Sequence, residues 1–375
     1  MSRKKGKSRE RRKDWQNRLA SGVDVESKAQ RQRLAPPGVK LPPRELEAGA
    51  EELADLPRIE GMLVGMFPGG ALVRTADRIL QCNVAKTFRA PPNATALVVG
   101  DIVTVALAPQ HAAAEHQEPD KVRTDGMILG RQNRRTVLAR PQPRSGKRRD
   151  EYGSEPLEKV VAANMDLLLI VASTCQPALR HGLIDRLVII AERGDMKSLL
   201  VLNKIDLGQA DPQVLEDLAG MGLEIIPCSA LTGQGLDALR GRLTGLRSVL
   251  AGASGVGKST IINALIPQAA AAVGSIRAAD ERGRHTTTSV NVYDLPGGGL
   301  ILDTPGVREV GLHMEAAELP WFFPDFAPFA QQCHFRDCTH THEPLCEVSK
   351  AAEDGRLSPR RYLGYLRLLE TLDER

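Results

Sequence analysis

The stretch VLNKIDLG at positions 201–208 sets Asn203, Lys204 and Asp206 directly behind an apolar run, in the spacing N-K-x-D. At a strand end, a carboxylate so placed accepts the ring N–H and the amino hydrogens of a guanine, while the asparagine braces the loop and the lysine packs along the base. Adenine lacks that amino group and would leave the buried carboxylate unpaired, so the pattern selects GTP over ATP. Elsewhere the pattern follows a phosphate-binding loop. Here it precedes one, and that order decides how the fold is read.

The phosphate loop is GASGVGKST, Gly252 to Thr260, which satisfies G-x-x-x-x-G-K-S. SVLA before it reads as a strand and the residues after it as a helix with Ile261, Ile262, Leu265 and Ile266 on the core side. In such a loop the backbone N–H groups of Gly252, Ala253, Ser254, Gly255, Val256 and Gly257 wrap the phosphates. Lys258 reaches the β- and γ-phosphates, and Ser259 ligates Mg2+. Further on, RHTTT at 284–288 offers a threonine for Mg2+ and the γ-phosphate. DTPG at 303–306, behind the apolar LIL, gives D-x-x-G: Asp303 holds Mg2+ through water and the Gly306 N–H meets the γ-phosphate, which makes the following loop a switch. Ser229 and Ala230, at the end of the strand after N-K-x-D, offer a backbone contact to the guanine oxygen.

In familiar GTPases the order is phosphate loop, threonine, D-x-x-G, N-K-x-D, S-A. Here it is N-K-x-D, S-A, phosphate loop, threonine, D-x-x-G: the same circle cut elsewhere. A compact α/β domain tolerates this because its termini often lie close enough to be joined while new ends open in a loop. Strand candidates at 166–173, 198–204, 223–229, 248–252, 289–295 and 300–305 alternate with helical patterns such as GLIDRLVIIAER and GLDALRGRL. The alternation predicts a mostly parallel sheet covered on both faces.

The 375 residues exceed one ordinary core and predict a multidomain chain. We divide it into a basic arm and Pro-rich linker (1–57), a small β-barrel of OB type (58–140), a basic linker (141–159), the circularly permuted α/β P-loop GTPase domain (160–312) and a small zinc-binding domain with helices (313–375). The barrel is expected from five β-prone runs between Ile59 and Ala139, separated by Gly and Pro turns. The last domain is expected from a shift to Pro, aromatic, Cys and His residues, followed by the helical LSPRRYLGYLRLLETLDE.

The net charge of +4 conceals an asymmetry. Residues 1–18 carry nine Lys or Arg against Glu10 and Asp14, a sum of +7, so the remainder sums to −3. A basic arm on a near-neutral body suits a polyanion such as RNA, through neutralised phosphates and released counterions; a solvated tail is the alternative. Arg131, Arg134, Arg135, Arg140, Arg144, Lys147, Arg148 and Arg149 extend the positive charge, either as an RNA-facing rim or as a solvated linker. The longest apolar runs fall far short of the roughly 20 residues of a membrane span. Polar sequence follows the basic N-terminus, so a secretory signal is not expected and the cytoplasm is.

Cys333, Cys338, His340 and Cys346 give C-x(4)-C-x-H-x(5)-C, enough to close a tetrahedral zinc shell as a structural site. His334 and His342 compete with His340 on chemistry alone. Cys82, Cys175 and Cys228, in strand-like segments, are expected to pack as small apolar residues.

The permuted motif order, the preceding barrel and the following Cys/His module together resemble the RsgA/YjeQ family, circularly permuted GTPases of small ribosomal subunit assembly. The resemblance covers about residues 58–373 and rests on NKIDL, GASGVGKST, RHTTT, DTPGVREVGL and CHFRDCTH. It implies an OB-fold, a GTPase and a C-terminal zinc domain, rRNA binding, and GTP hydrolysis stimulated by the small subunit. It also favours His340 as the zinc ligand. Residues 1–57, the insertion-like 108–121 and the extended basic linker depart from the family's core pattern.

Val307 stands where Ras-like enzymes carry a water-orienting glutamine, so unaided turnover is expected to be slow. His285 is the candidate water-positioning residue, with a plain loop histidine as the alternative. Among Thr286, Thr287 and Thr288, similarity to other switch loops favours Thr287 for Mg2+. Ser254 occupies the position where potassium-activated GTPases often carry Asn, which leaves K+ a candidate cofactor. The expected function is a monomeric GTPase whose turnover times release from a maturing small subunit. A GTP-gated RNA-binding protein with incidental hydrolysis is the alternative, and the guanine reader argues against a P-loop kinase or ATPase.

Overall fold

Short runs of alternating polarity, broken by Gly turns, build the first body of the computed structural model, which describes residues 46–47, 56–67, 70–85, 88, 95–108, 124–141, 158–266, 291–303, 311–312 and 314–373. Strands β2 (Arg58–Phe67), β3 (Gly70–Arg74), β4 (Ile79–Val84), β5 (Ile102–Leu107) and β6 (Gly126–Arg131) pair in the order β2-β3-β4-β6-β5, and β5 returns to β2. All pairs are antiparallel except β4 with β6. The result is a closed five-stranded OB-like barrel, in which closure leaves no free edge among the five. A two-residue strand, β1 (Leu46–Glu47), adds to β6. Alternate residues such as Leu63, Val73, Leu80 and Val105 fill the interior.

A hairpin of β7 (Val137–Pro141) and β8 (Glu158–Ala163) joins the barrel to the next body. Ala163 N–H donates to the Val99 carbonyl at 3.0 Å on the barrel side, and Val137 N–H to the Gly194 carbonyl at 3.0 Å on the other. Gly100, at φ +94°, is required here, because a Cβ would sit 1.9 Å from the Ala163 carbonyl oxygen.

The second body is a six-stranded sheet in the order β11-β10-β9-β12-β14-β13. Its strands are β9 (Leu167–Ser173), β10 (Lys197–Asn203), β11 (Glu224–Pro227), β12 (Arg247–Ala251), β13 (Asn291–Asp294) and β14 (Leu300–Asp303). All are parallel except the edge strand β13. Continuous burial along β9 is what a strand covered on both faces requires. Helices α1 (His181–Arg193), α2 (Pro212–Gly220), α3 (Leu236–Leu243) and α4 (Lys258–Leu265) supply the cover. From β9 the chain steps outward to β10 and β11. It then returns to the middle with β12; on the other side β13 lies at the edge and the later β14 comes back between it and β12. The switch point lies between β9 and β12, where open α/β sheets bind ligands beyond their carboxyl ends.

The third body has short 3-10 turns at Ala316–Phe322 and Pro324–Phe326, then α5 (Ala327–Ala330), α6 (Glu347–Glu353) and α7 (Pro359–Asp373). Phe323, Phe326 and Tyr365 pack with ring centroids 5.0 to 5.2 Å apart in its core, Tyr365 edge-on to both phenylalanines.

Two expectations change. The last of the five β-prone runs, 126–139, is not one strand but β6 and β7, separated at 132–136. Arg131 and Arg134 do not face outward: both are buried on Asp101, with Arg134 bidentate at 2.7 and 2.9 Å. A buried carboxylate needs such partners, and it recruits them from the nearest basic run. The expected features at 1–18, 35–43, 109–121 and 142–149 lie outside the described residues.

Candidate nucleotide site and metal centre

Four loops converge beyond the carboxyl ends of β9, β10, β11 and β12. Asn203, the last residue of β10, is 2 % exposed and ties three of them together. Its Nδ2 donates to the Val256 carbonyl of the phosphate loop at 2.9 Å, and its Oδ1 accepts the Ala230 N–H at 3.0 Å. The bracing expected of Asn203 is therefore made of specific bonds, and the N-K-x-D, S-A and phosphate loops share one cleft despite their permuted order. Ser229 Oγ turns back to accept the Thr232 N–H at 3.1 Å, which closes the S-A loop.

Lys204 adopts φ +66° and sends Nζ to the carbonyls of Gly255, at 2.8 Å, and Gln176. It thus bridges the N-K-x-D loop and the phosphate loop. Asp206 stands exposed beyond them, open to a ligand. The loop after β9 completes the frame, since Thr174 Oγ1 donates to the Lys204 carbonyl at 2.8 Å.

The phosphate loop has the backbone a phosphate cradle needs. Gly252, Gly255 and Gly257 all have positive φ. At 252 a Cβ would lie 2.2 Å from the Val171 carbonyl oxygen, and at 257 it would lie 2.3 Å from Asn203 Nδ2. No other residue fits either place. Lys258 is buried, with Nζ on the Gly252 and Ala253 carbonyls at 2.9 and 2.6 Å. Ser254, Ser259 and Thr260 are exposed at the mouth, and Asp303 ends β14 next to β12. The donor set fits a nucleotide with Mg2+: Ser259 and Asp303 would hold the ion. His285, Thr287, Gly306 and Val307 lie outside the described residues.

In the third body the Sγ atoms of Cys333, Cys338 and Cys346 and one ring nitrogen of His340 lie within 4.8 Å of one another, all buried and none in a disulfide. His340 Nδ1 faces Cys333 and Cys346 at 3.6 Å each. The geometry selects His340: the His334 ring packs on Phe335 and His342 Nδ1 bonds the Thr341 hydroxyl. His340 and Leu345 take positive φ, which turns the loop around the cluster. Glu343 fastens that loop, accepting N–H bonds from Thr339 at 2.8 Å and Thr341 at 2.9 Å. Burial opposes its charge, yet the bonds from Thr339 and Thr341 hold its carboxyl below the usual range. Hydrogen bonds from Cys338 and Cys346 pull the Cys333 thiol down, while the bond to Cys333 pushes Cys338 up. Three thiols and one imidazole in a closed, buried pocket are the donor set of a structural metal site, which a cation would complete.

Cys82 and Cys228 are buried as apolar residues, and burial pushes the Cys228 thiol up to about 11. Cys175 is partly exposed in the turn after β9 rather than in a strand.

Together, these features define a circularly permuted P-loop GTPase flanked by an OB-like barrel and a Cys/His module. A model of the RsgA GTPase family matches residues 131–313. The small ribosomal subunit biogenesis GTPase RsgA of Shewanella oneidensis is 34 % identical over 325 residues, 85 % of each chain. The crystal structure of YjeQ from Thermotoga maritima superposes with a TM-score of 0.62 at 27 % identity, covering 85 % of this chain and 100 % of that one. YloQ, described as a circularly permuted GTPase, gives 0.59 at 25 % identity, covering 86 % and 97 %. The chain belongs to the RsgA GTPase family.

Proposed function

We propose that this chain binds the small ribosomal subunit and its rRNA and hydrolyses GTP to GDP and phosphate during late subunit maturation, with turnover stimulated by the subunit. The observation that carries the nucleotide part is the Asn203 amide, which bonds the phosphate loop and the S-A loop at once and so makes one cleft of separated motifs. The ribosomal part rests on the family and on relatives named for small-subunit biogenesis.

In this reading Asp206 accepts the guanine hydrogens, Lys204 flanks the base, and Ser229-Ala230 meets its oxygen. Residues Gly252 to Thr260 hold the phosphates. Ser259, Thr287 and water on Asp303 hold Mg2+, Gly306 contacts the γ-phosphate and His285 positions the attacking water. Zinc is the ion of Cys333, Cys338, His340 and Cys346, since three thiolates and an imidazole in a closed site suit it best. K+ at the Ser254 position is settled by turnover in K+ against Na+ buffers. The domain limits are those read from sequence, with the β7–β8 hairpin spanning the 141–159 linker. The protein acts as a cytoplasmic monomer. None of its described helices is long and apolar enough to cross a membrane.

Co-sedimentation with purified small subunits tests the reading. A nonhydrolysable GTP analogue retains the chain on the subunit and GDP releases it. Equal retention with both ligands contradicts the proposal.

A further inference from the structure

Helix α7 grips two bodies at once. Arg361, 5 % exposed, places Nη1 2.5 Å from Asp185 Oδ1 of α1, and Nε and Nη2 each 3.0 Å from Asp325. Its guanidinium stacks 4.5 Å over the Phe323 ring. Gly364 allows the close approach, because a Cβ there would lie 3.1 Å from Asp185 Oδ2. From the same helix, Tyr362 and Tyr365 donate their hydroxyls to the His340 and Thr339 carbonyls at 2.9 and 2.6 Å, inside the metal loop.

Helix α1 in turn reaches the phosphate loop. Leu183, Ile184 and Leu187 line a cavity whose other wall includes Gly252, Ala253 and Val256. Gly252 and Ala253 are the residues whose carbonyls hold Lys258. None of Asn203, Lys204, Asp206, Ser229 or Ala230 lines that cavity.

We propose that Arg361 is a positioning residue for the nucleotide site: by fastening the Cys/His module to α1 it holds the wall behind the phosphate loop, so that module docking and binding of the nucleotide phosphates strengthen each other. The inference rests on the reading of Gly252 to Thr260 as the phosphate site. Linkage makes the effect reciprocal: whatever docking adds to phosphate affinity, phosphate adds to docking. Selectivity for guanine over adenine stays unchanged, because Asp206, which carries it in this reading, does not line the shared wall; only the bracing Asn203 bonds that wall, through the Val256 carbonyl.

Calorimetric titration of the full, metal-loaded chain with GDP and ADP tests this. Arg361→Lys and Asp185→Asn each weaken GDP binding about fivefold, with the GDP-to-ADP affinity ratio kept. Arg356→Ala, in a surface pair with Glu347 and Asp354 of the same module, keeps the original affinity. Unchanged GDP affinity in both latch variants, or a GDP-to-ADP ratio that falls with it, overturns the inference. Where a variant fails to fold, the unmodified chain decides: saturating GDP slows amide exchange along α7 about fivefold, and equal rates with and without GDP overturn the proposal. A wild-type chain that does not bind GDP overturns the nucleotide reading itself, whereas wild-type binding with indifferent variants overturns only the role of Arg361.

Discussion

Two buried arginines stand at the joints between the GTPase sheet and its neighbours, and their surroundings differ. Arg134 meets both oxygens of Asp101, and Asp101 also accepts the Val98 N–H at 2.8 Å. Around that pair main-chain bonds cross the joint, Ala163 N–H to the Val99 carbonyl and Val137 N–H to the Gly194 carbonyl, and the Asn164 amide adds to them, Nδ2 donating to the Gly100 carbonyl at 2.9 Å and Oδ1 accepting the Arg135 N–H at 2.8 Å. Arg361 instead divides its guanidinium between Asp185 and Asp325, from separate bodies. Main-chain bonds carry the barrel joint, while a side-chain ion cluster fastens the module joint.

Disrupting the module by its metal has the largest expected effect. Cys338→Ser takes metal content from one ion per chain to near zero, and the α6–α7 region melts separately from the sheet, as differential scanning calorimetry reads. A single unshifted transition would mean that the metal does not hold the module. Next comes the barrel joint. Arg134→Met takes the bidentate partner from buried Asp101, leaving Arg131 at 3.8 Å, and lowers stability by about 3 kcal/mol in urea unfolding; a loss under about 1 kcal/mol would show that Arg131 and the backbone bonds suffice. Asp206→Asn weakens GTP binding by about 1.5–3 kcal/mol, roughly ten- to a hundredfold, while leaving both joints intact. Retained GTP-over-ATP selectivity in that variant would remove Asp206 as the guanine reader.

The smallest effect separates the joints by pH. Burial, with Asp325 adding to it and Arg361 opposing, pushes the Asp185 carboxyl up to about 6, from 3.8 when unperturbed. Between those values the folded chain keeps a proton that the unfolded chain has lost. This contribution is full below the unfolded value and is lost as pH rises through 6. From pH 7.5 down to 5, stability should therefore shift in favour of the wild type relative to Asp185→Asn. A pH-independent gap would contradict the raised carboxyl.

Each chemical motif is contiguous, so VLNKIDLG, GASGVGKST and the Cys/His spacing were legible without coordinates, and their order alone gave the permutation. The sheet and barrel followed from apolar runs between turns. Long-range pairing was not legible. Arg131 and Arg134 read like the rest of a basic patch because nothing local marks their partner Asp101 as buried. The EKVVAA of β8 hides behind a polar stretch. The Asp185–Arg361 pair spans 176 residues, beyond any periodicity. Three histidines crowd the metal loop, and only the backbone turn at His340 decides which one points inward.

GTP turnover by the full chain, measured alone and with purified small ribosomal subunits, tests the proposed function most directly. Slow hydrolysis alone that accelerates at least tenfold with subunits is the expected result; a rate indifferent to subunits would contradict it.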